Sequence, residues 1–221
     1  MDVVFSDTFT DSDGTTLASH TPTVGTSYTV LDYTVLGAYT AEIKTNRLRT
    51  ISPGYGSFYL WKLNPGTAFA SDHTISFTYG ANIGNNGIAD VRFRTRVQGS
   101  GAHYAFVLSY SHLVSYTSVD AKILYVDSVG AETTVASGTF APSAYAGDTI
   151  ECIVSGSSLA MKRNGSALIS GTNATIGTSG DLHLRVEVNS FDDSAQIDTL
   201  SVDNAAGGGD DDGLPPFFFF D

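Results

Sequence analysis

The sequence is short of cysteine, glutamate, cationic side chains and long apolar runs, and each shortage removes a class of protein. A single cysteine, Cys152, leaves no intrachain disulfide to form. Of the 23 acidic residues 19 are Asp and 4 are Glu. Asp favours turns and caps where Glu favours helix interiors, so helices are not expected to dominate. Lys and Arg together number 11, for a formal net charge of −12. That balance argues against a nucleic-acid partner, which needs clustered cations, and against an anionic membrane surface. No run of about 18 apolar residues occurs, so no membrane-spanning helix is expected. The opening Met1-Asp2-Val3-Val4-Phe5 has no basic segment followed by an apolar stretch. A secretory signal is therefore not expected, and synthesis in a cytoplasm is.

What is present is enough apolar surface for a core, at 42% hydrophobic and 11% aromatic residues in 221. The length suits one large β-domain or two small ones. Its pattern has period two. Val91, Phe93, Thr95 and Val97 fall on one side of a run and Arg92, Arg94 and Arg96 on the other. Tyr104, Phe106 and Leu108 alternate with His103, Ala105 and Val107, and Leu182, Leu184, Val186 and Val188 with His183, Arg185 and Glu187. Ile75, Phe77 and Tyr79, and Ile150, Cys152 and Val154, form further sets. Alternation of this kind marks half-buried strands. Turn signals separate the runs: Asn85-Asn86-Gly87, Gly99-Ser100-Gly101, Ser128-Val129-Gly130, Gly147-Asp148, Gly156-Ser157, Asn164-Gly165 and Ser179-Gly180. Asn-Gly suits the primed two-residue hairpin turn because both residues tolerate positive φ. About a dozen short strands so punctuated predict an all-β, antiparallel two-sheet β-sandwich. No repeat of 20–50 residues is visible.

Composition changes at Ala205, which divides the chain into a sandwich over 1–204 and a tail over 205–221. Gly207–Gly209 make a flexible spacer and Asp210–Asp212 a solvated acidic run. Leu214, Pro215 and Pro216 then lead to Phe217, Phe218, Phe219 and Phe220. Four Phe side chains carry roughly 600–1,000 Å² of buriable surface, more than one exposed patch usually holds. The tail is therefore expected to dock on another subunit or another protein.

Several pieces together carry a resemblance. They are the opening Phe5-Ser6-Asp7-Thr8-Phe9 with its loop to Gly25, Val91-Arg92-Phe93-Arg94, Gly101-Ala102-His103-Tyr104 and Ala146-Gly147-Asp148-Thr149. Gly156-Ser157-Ser158-Leu159 with Arg163-Asn164-Gly165 follows, and then Gln196 to Val202. In order and spacing these resemble the concanavalin A-like, laminin-G-like jelly rolls found in phage and bacterial surface proteins. The resemblance covers residues 3–204 and implies that the first strand pairs with the last. His103 stands where the family's Gly-x-Asn-Tyr piece has Asn, and Tyr28 where Trp is frequent. Lectins, glycanases, adhesion modules and virion proteins all use this fold, so it does not by itself imply a function.

Glycanases of the family carry Glu-x-Asp-x-(x)-Glu on a strand, which sets carboxylates on one face across the glycosidic bond. The nearest string here is Glu187-Val188-Asn189-Ser190-Phe191-Asp192, with Asn in place of the central Asp. There is also no Gly-x-Ser-x-Gly elbow, no phosphate loop with Lys, and no helical histidine pair at a zinc spacing among His20, His73, His103, His112 and His183. Cys152 alternates with apolar residues and is expected in the core. The chain is accordingly expected not to be an enzyme, and no cofactor or metal is assigned.

The remaining candidates are binding groups. Arg92, Arg94 and Arg96 form a cationic stripe suited to a carboxylate-bearing partner or to internal acids, with His103 on the hairpin mate. His183, Arg185 and Glu187 form a second polar face. Tyr55, Tyr59, Tyr110 and Tyr116 could stack on sugar rings or pack in the core. Asp11, Asp13 and Gly14 carry part of a calcium-loop pattern, and the resemblance points to Asp7 and Asp198 as calcium candidates near the first and last strands. Asn164-Gly165-Ser166 and Asn173-Ala174-Thr175 match the glycosylation pattern and are taken as chance matches. The leading expectation is a phage structural protein localised to the virion, a capsid decoration (cement) protein or a head- or tail-fibre component. It would be held to other virion subunits by its tail, as a homo-oligomer such as a trimer. The alternative is a carbohydrate-binding, lectin-like module.

Overall fold

A computed structural model describes residues 2–34, 41–50, 57–81, 89–110, 119–140, 147–188 and 196–205. Fifteen strands are described: β1 (Asp2–Asp7), β2 (Ser27–Thr34), β3 (Ala41–Ile43), β4 (Leu48–Thr50), β5 (Ser57–Asn64), β6 (His73–Ala81), β7 (Ala89–Val97), β8 (His103–Tyr110), β9 (Val119–Val126), β10 (Glu132–Phe140), β11 (Thr149–Ser155), β12 (Ser158–Arg163), β13 (Ser166–Thr172), β14 (Asp181–Val188) and β15 (Gln196–Asn204). One 3₁₀ turn, Leu17–Ser19, lies between β1 and β2. The first sheet runs β13-β12-β11-β6-β15-β4-β3, with β1 also paired to β15. The second runs β10-β9-β8-β7-β14-β5-β2. All named pairings are antiparallel, so the expected all-β sandwich is the observed one. First and last strands pair, with Ser6 opposite Ser201 and Asp7 opposite Leu200.

Alternation makes the layers. In β7, Val91 and Phe93 are buried on the inner side while Arg92 and Arg94 point out. Phe77 of β6 meets Phe93 across the sandwich at 5.0 Å between ring centroids. A buried Phe of this kind contributes about 1.5–3 kcal/mol over an exposed one. Cys152 sits in the same core, its thiol pKa pushed far up by burial and then by Glu151, so it is an inert small apolar residue there. The turn signals also act as expected. Asn164 and Gly165 have φ of 50° and 77°, the pair of positive values that a primed hairpin turn needs.

Two sequence assignments change once the strands are paired. Arg96 does not continue the outward stripe. Its φ is +49°, the register of β7 on β14 shifts beside it, and its side chain is 1% exposed. The guanidinium donates to the Ser71 carbonyl at 2.8 Å, to the Ile176 carbonyl and to Asp72 Oδ1 at 3.0 Å. Gly180 lies against this bulge, where an added Cβ would sit 2.5 Å from the Val97 carbonyl oxygen. A side chain there is sterically blocked, which is why Ser179-Gly180 ends in glycine.

Asp7 is the second. Its carboxylate is 1% exposed and accepts from the Phe9 N–H at 2.7 Å and from Tyr28 Oη at 2.6 Å, and His20 Nε2 lies 2.9 Å from both oxygens. Asp198 is half-buried and faces Arg47 at 3.6 Å. Asp7 and Asp198 therefore belong to separate protein-internal networks and do not form a calcium site together. Burial, and next the Asp7 charge, raise the Tyr28 pKa well above its ordinary value.

Removing a buried cation that ties three loop acceptors leaves those acceptors unpaired. Arg96→Ala should lower unfolding free energy by about 3 kcal/mol or more in denaturant titration, while Lys122→Ala at an exposed strand position should change it by under about 0.5 kcal/mol. A loss below about 1 kcal/mol for Arg96→Ala would contradict the tie.

Candidate functional site

The outer face of the second sheet carries the site, and register builds it row by row. His183 of β14 is opposite Arg94 of β7 and Lys62 of β5; Arg185 is opposite Arg92 and Leu60. Arg94 is opposite Ala105 of β8, and Arg92 opposite Val107. Ala105 and Val107 are opposite Leu124 and Lys122 of β9. The two polar stripes seen in the sequence, on β7 and β14, are thus one continuous surface, because these strands are neighbours.

Beside the arginines the same face has an apolar floor. Ala105, Val107, Leu124 and Val126 form a second cluster separate from the main core, and all are nearly inaccessible. An ion pair spans them. Arg92 Nη1 donates to Glu132 Oε1 at 2.7 Å, although Arg92 is on β7 and Glu132 on β10, with β8 and β9 between. Neighbouring strands are about 4.8 Å apart, so the two side chains bridge roughly 14 Å by reaching over the floor. Between them lies a cavity of about 400 Å³, lined by Arg92, Arg94, Arg185, His103, Val126 and Glu132, with the β7–β8 turn at Gly101 and the β9–β10 turn at Asp127, Ser128 and Gly130 closing one end. Val129, at the tip of the latter turn, is 86% exposed.

His103 is 6% exposed and holds the end of this cavity. Its Nδ1 lies 2.8 Å from the Gly101 carbonyl, so Nδ1 carries the proton and donates it there. Nε2 is buried and has no hydrogen-bond partner among the described residues. Burial, with the charges of Arg94 and Arg92, holds the ring's pKa below its ordinary value against the Gly101 and Glu132 contributions. His183 is lowered further, to about 4, by burial first and then by Arg94, His103 and Lys62, partly offset by Asp181. Arg185 lies over the Phe58 ring at 4.3 Å, a cation–π contact on the same face.

The sequence-derived candidates divide accordingly. Arg92, Arg94, His103 and Arg185 line one cavity, with His183 beside it in register. Arg96 is elsewhere, in the buried tie described above. Tyr59 points into the core, 5% exposed and stacked on Trp61 at 5.4 Å, and is not a surface platform. Tyr55, His112 and Tyr116, and the side chains of Tyr110 and Glu187, lie outside the described residues, as do Asn189 and Asp192. So do Leu214, Pro215, Pro216 and Phe217–Phe220. Glu132, Phe58 and the apolar floor were not singled out from the sequence. The floor had a signal: Ala105 and Val107 are apolar on the supposedly polar side of β8.

No protein-family model matches the sequence, and no curated protein matches it. Solved structures do. LamA from Z. galactanivorans, in complex with laminaritriose and laminaritetraose, aligns at a TM-score of 0.62 and 12% identity over 90% of this chain and 98% of that one. The kappa-carrageenase from Pseudoalteromonas carrageenovora, in complex with an oligotetrasaccharide of kappa-carrageenan, aligns at 0.57 and 10%, covering 90% and 92%. The carbohydrate recognition domain of Emp46p in its potassium-bound form aligns at 0.56 and 11%, covering 79% and 87%. The fold is therefore a concanavalin A-like jelly roll. The expectation that the chain is not an enzyme is overturned at this point. A carrageenase is built on this fold at nearly full coverage, so a strand string that misses one glycanase motif does not exclude catalysis.

The histidine environment predicts a pH response. A ring whose folded pKa is below its unfolded value near 6.5 leaves the folded state with fewer protons, so stability is full above about pH 6.5 and falls as pH drops towards 4. The part carried by His183 is on the order of 3 kcal/mol at most. His183→Gln should flatten the stability slope between pH 6.5 and 4 in denaturant titrations; an unchanged slope would contradict the buried neutral ring.

Proposed function

We propose that this chain binds carbohydrate, and that the ligand lies on the outer face of the second sheet in the cavity lined by Arg92, Arg94, His103, Val126, Glu132 and Arg185. The observation that carries this reading is the cavity itself. It sets one apolar side chain, Val126, among convergent polar groups from four strands and two turns, a few polar groups meeting in one concavity as small-ligand sites use them. A sugar offers both halves of that match: C–H faces for Val126 and the exposed Val129 beside the cavity, and hydroxyls for His103 and the guanidinium groups. The similar structures that were solved with oligosaccharides support the reading at the level of fold.

The capsid-decoration reading joins the fold type, the lack of an expected secretory signal or disulfide, and the tail Leu214–Phe220, which lies outside the described residues; the similar structures lend it no support. Glycan binding takes its place as the leading function.

A glycan array followed by calorimetry tests it. Micromolar to millimolar binding to at least one oligosaccharide is expected. Ser128→Trp, at an exposed lining position, should block the cavity and weaken that binding at least about tenfold with an unchanged melting temperature. An array without hits, or full affinity in Ser128→Trp, would overturn the reading.

A further inference from the structure

Four of the described histidines are buried, and their rings differ in how they are satisfied. His20 and His73 have partners on both nitrogens: Asp11 and Asp7 for His20, the Ala70 carbonyl and the Thr95 hydroxyl for His73. His103 has a partner on one. Its Nδ1 donates to the Gly101 carbonyl at 2.8 Å, while Nε2 has no partner among the described residues. His183 has the same deficit at its Nδ1, but of the four it is His103 that lines the cavity.

A buried acceptor without a donor is unfavourable, and native structures give nearly every such atom a partner. Nε2 is closed to solvent in the empty protein, so bulk water does not supply one. A ligand reaches it once a lining group moves, and Glu132, with a side chain 46% exposed, can turn aside as the ligand enters. The partner must be a donor. Burial, helped by the charges of Arg94 and Arg92, disfavours a second proton on the ring. The Gly101 carbonyl fixes the one proton on Nδ1, so Nε2 offers a lone pair. Gly101 has a φ of 90°, in the left-handed region, so the turn that presents this carbonyl favours glycine. Carboxylate, sulfate and ether oxygens bring acceptors only, and a C–H face brings neither donor nor acceptor. A hydroxyl brings the donor.

Resting on the glycan reading, we propose that His103 Nε2 accepts a hydrogen bond from one hydroxyl of the bound saccharide and is the specificity-determining atom of the cavity. A site built to bond an O–H rejects the analogue that lacks it, because its own polar atom then stays buried and unpaired. The cavity therefore selects its ligand by one free hydroxyl at a defined ring position and discriminates against the deoxy and O-methyl forms of the same sugar.

Calorimetry on the full chain tests this. The probes are the tightest-binding oligosaccharide of the glycan array and its derivatives in which one hydroxyl at a time is replaced by hydrogen or by O-methyl. At one position either change should weaken binding about tenfold or more. His103→Asn keeps an amide N–H near the Nδ1 position for Gly101 and removes the Nε2 acceptor. It should bind the parent sugar about tenfold more weakly and no longer distinguish it from the derivative altered at that position. In the unsubstituted chain, the nitrogen-15 resonance of Nε2 should shift at saturation with the parent sugar and not with that derivative, a readout that does not depend on how a variant folds. Equal affinity for parent and derivatives at every position overturns this inference and leaves the glycan reading standing. The same discrimination in His103→Asn as in the unsubstituted chain, or an Nε2 resonance unmoved by the parent sugar, also overturns it alone. Absence of binding to every saccharide overturns the glycan reading and this inference with it.

Discussion

A guanidinium placed inside a β-sandwich must find acceptors there for its N–H groups, and the end of this molecule is organised around that requirement at Arg96. The side chain is turned inward by a positive-φ bulge and gathers the Ser71 and Ile176 carbonyls and the Asp72 carboxylate. One strand, two loops and the approach of Gly180 are thereby held together. Asp72 also receives the Gly156 N–H at 3.0 Å, which extends the tie to the β11–β12 turn of the opposite sheet. A neighbouring network continues it: His73 contacts Thr95, and Tyr104 Oη donates to the Asn173 carbonyl at 2.8 Å while accepting the Ile176 N–H at 2.9 Å. Buried polar groups that are all satisfied leave few alternative arrangements.

The cavity depends on that rigidity. β7 supplies Arg92 and Arg94 to the outer face just before it bends at Arg96, and β8 begins with His103 just after the following turn. Two features usually found apart, an apolar floor and a guanidinium row, meet because β7, β8, β9 and β14 are neighbours and because Arg92 reaches Glu132 over two strands. The long side chains cover apolar groups with their stems while keeping charge at the rim. The cavity is therefore shielded from bulk water on one side and open on the other, which strengthens polar contacts made inside it.

Much of the fold was legible in the sequence, and for a physical reason. Strand residues alternate faces by geometry, so Val91-Arg92-Phe93-Arg94 declares its orientation without any tertiary knowledge, and Asn164-Gly165 declares its turn through φ. Period two has no term for a bulge, so Arg96 was assigned to the wrong side. Tyr59 was left between core and surface, because aromatic residues serve both and the local pattern does not say which face is wet; the structure places it in the core. Glu132 was invisible as a site residue because its partner lies 40 positions away and three strands across. Sheet order is a long-range property, and no window of the sequence contains it. Arg92, Arg94, His103 and Arg185 could be named individually for their chemistry; that they share one cavity follows from β14 lying beside β7.

The central claim is that ligand is held by the arginine row and His103 on the outer face of the second sheet. Nitrogen-15 NMR of the labelled protein, titrated with the oligosaccharide that binds best, tests it most directly. The account predicts that the His103 Nε2 resonance and the Nε resonances of Arg92, Arg94 and Arg185 shift together along one binding curve, while Arg96 Nε stays fixed. Shifts confined to other residues, with His103 and the three arginines unmoved at saturation, would contradict it.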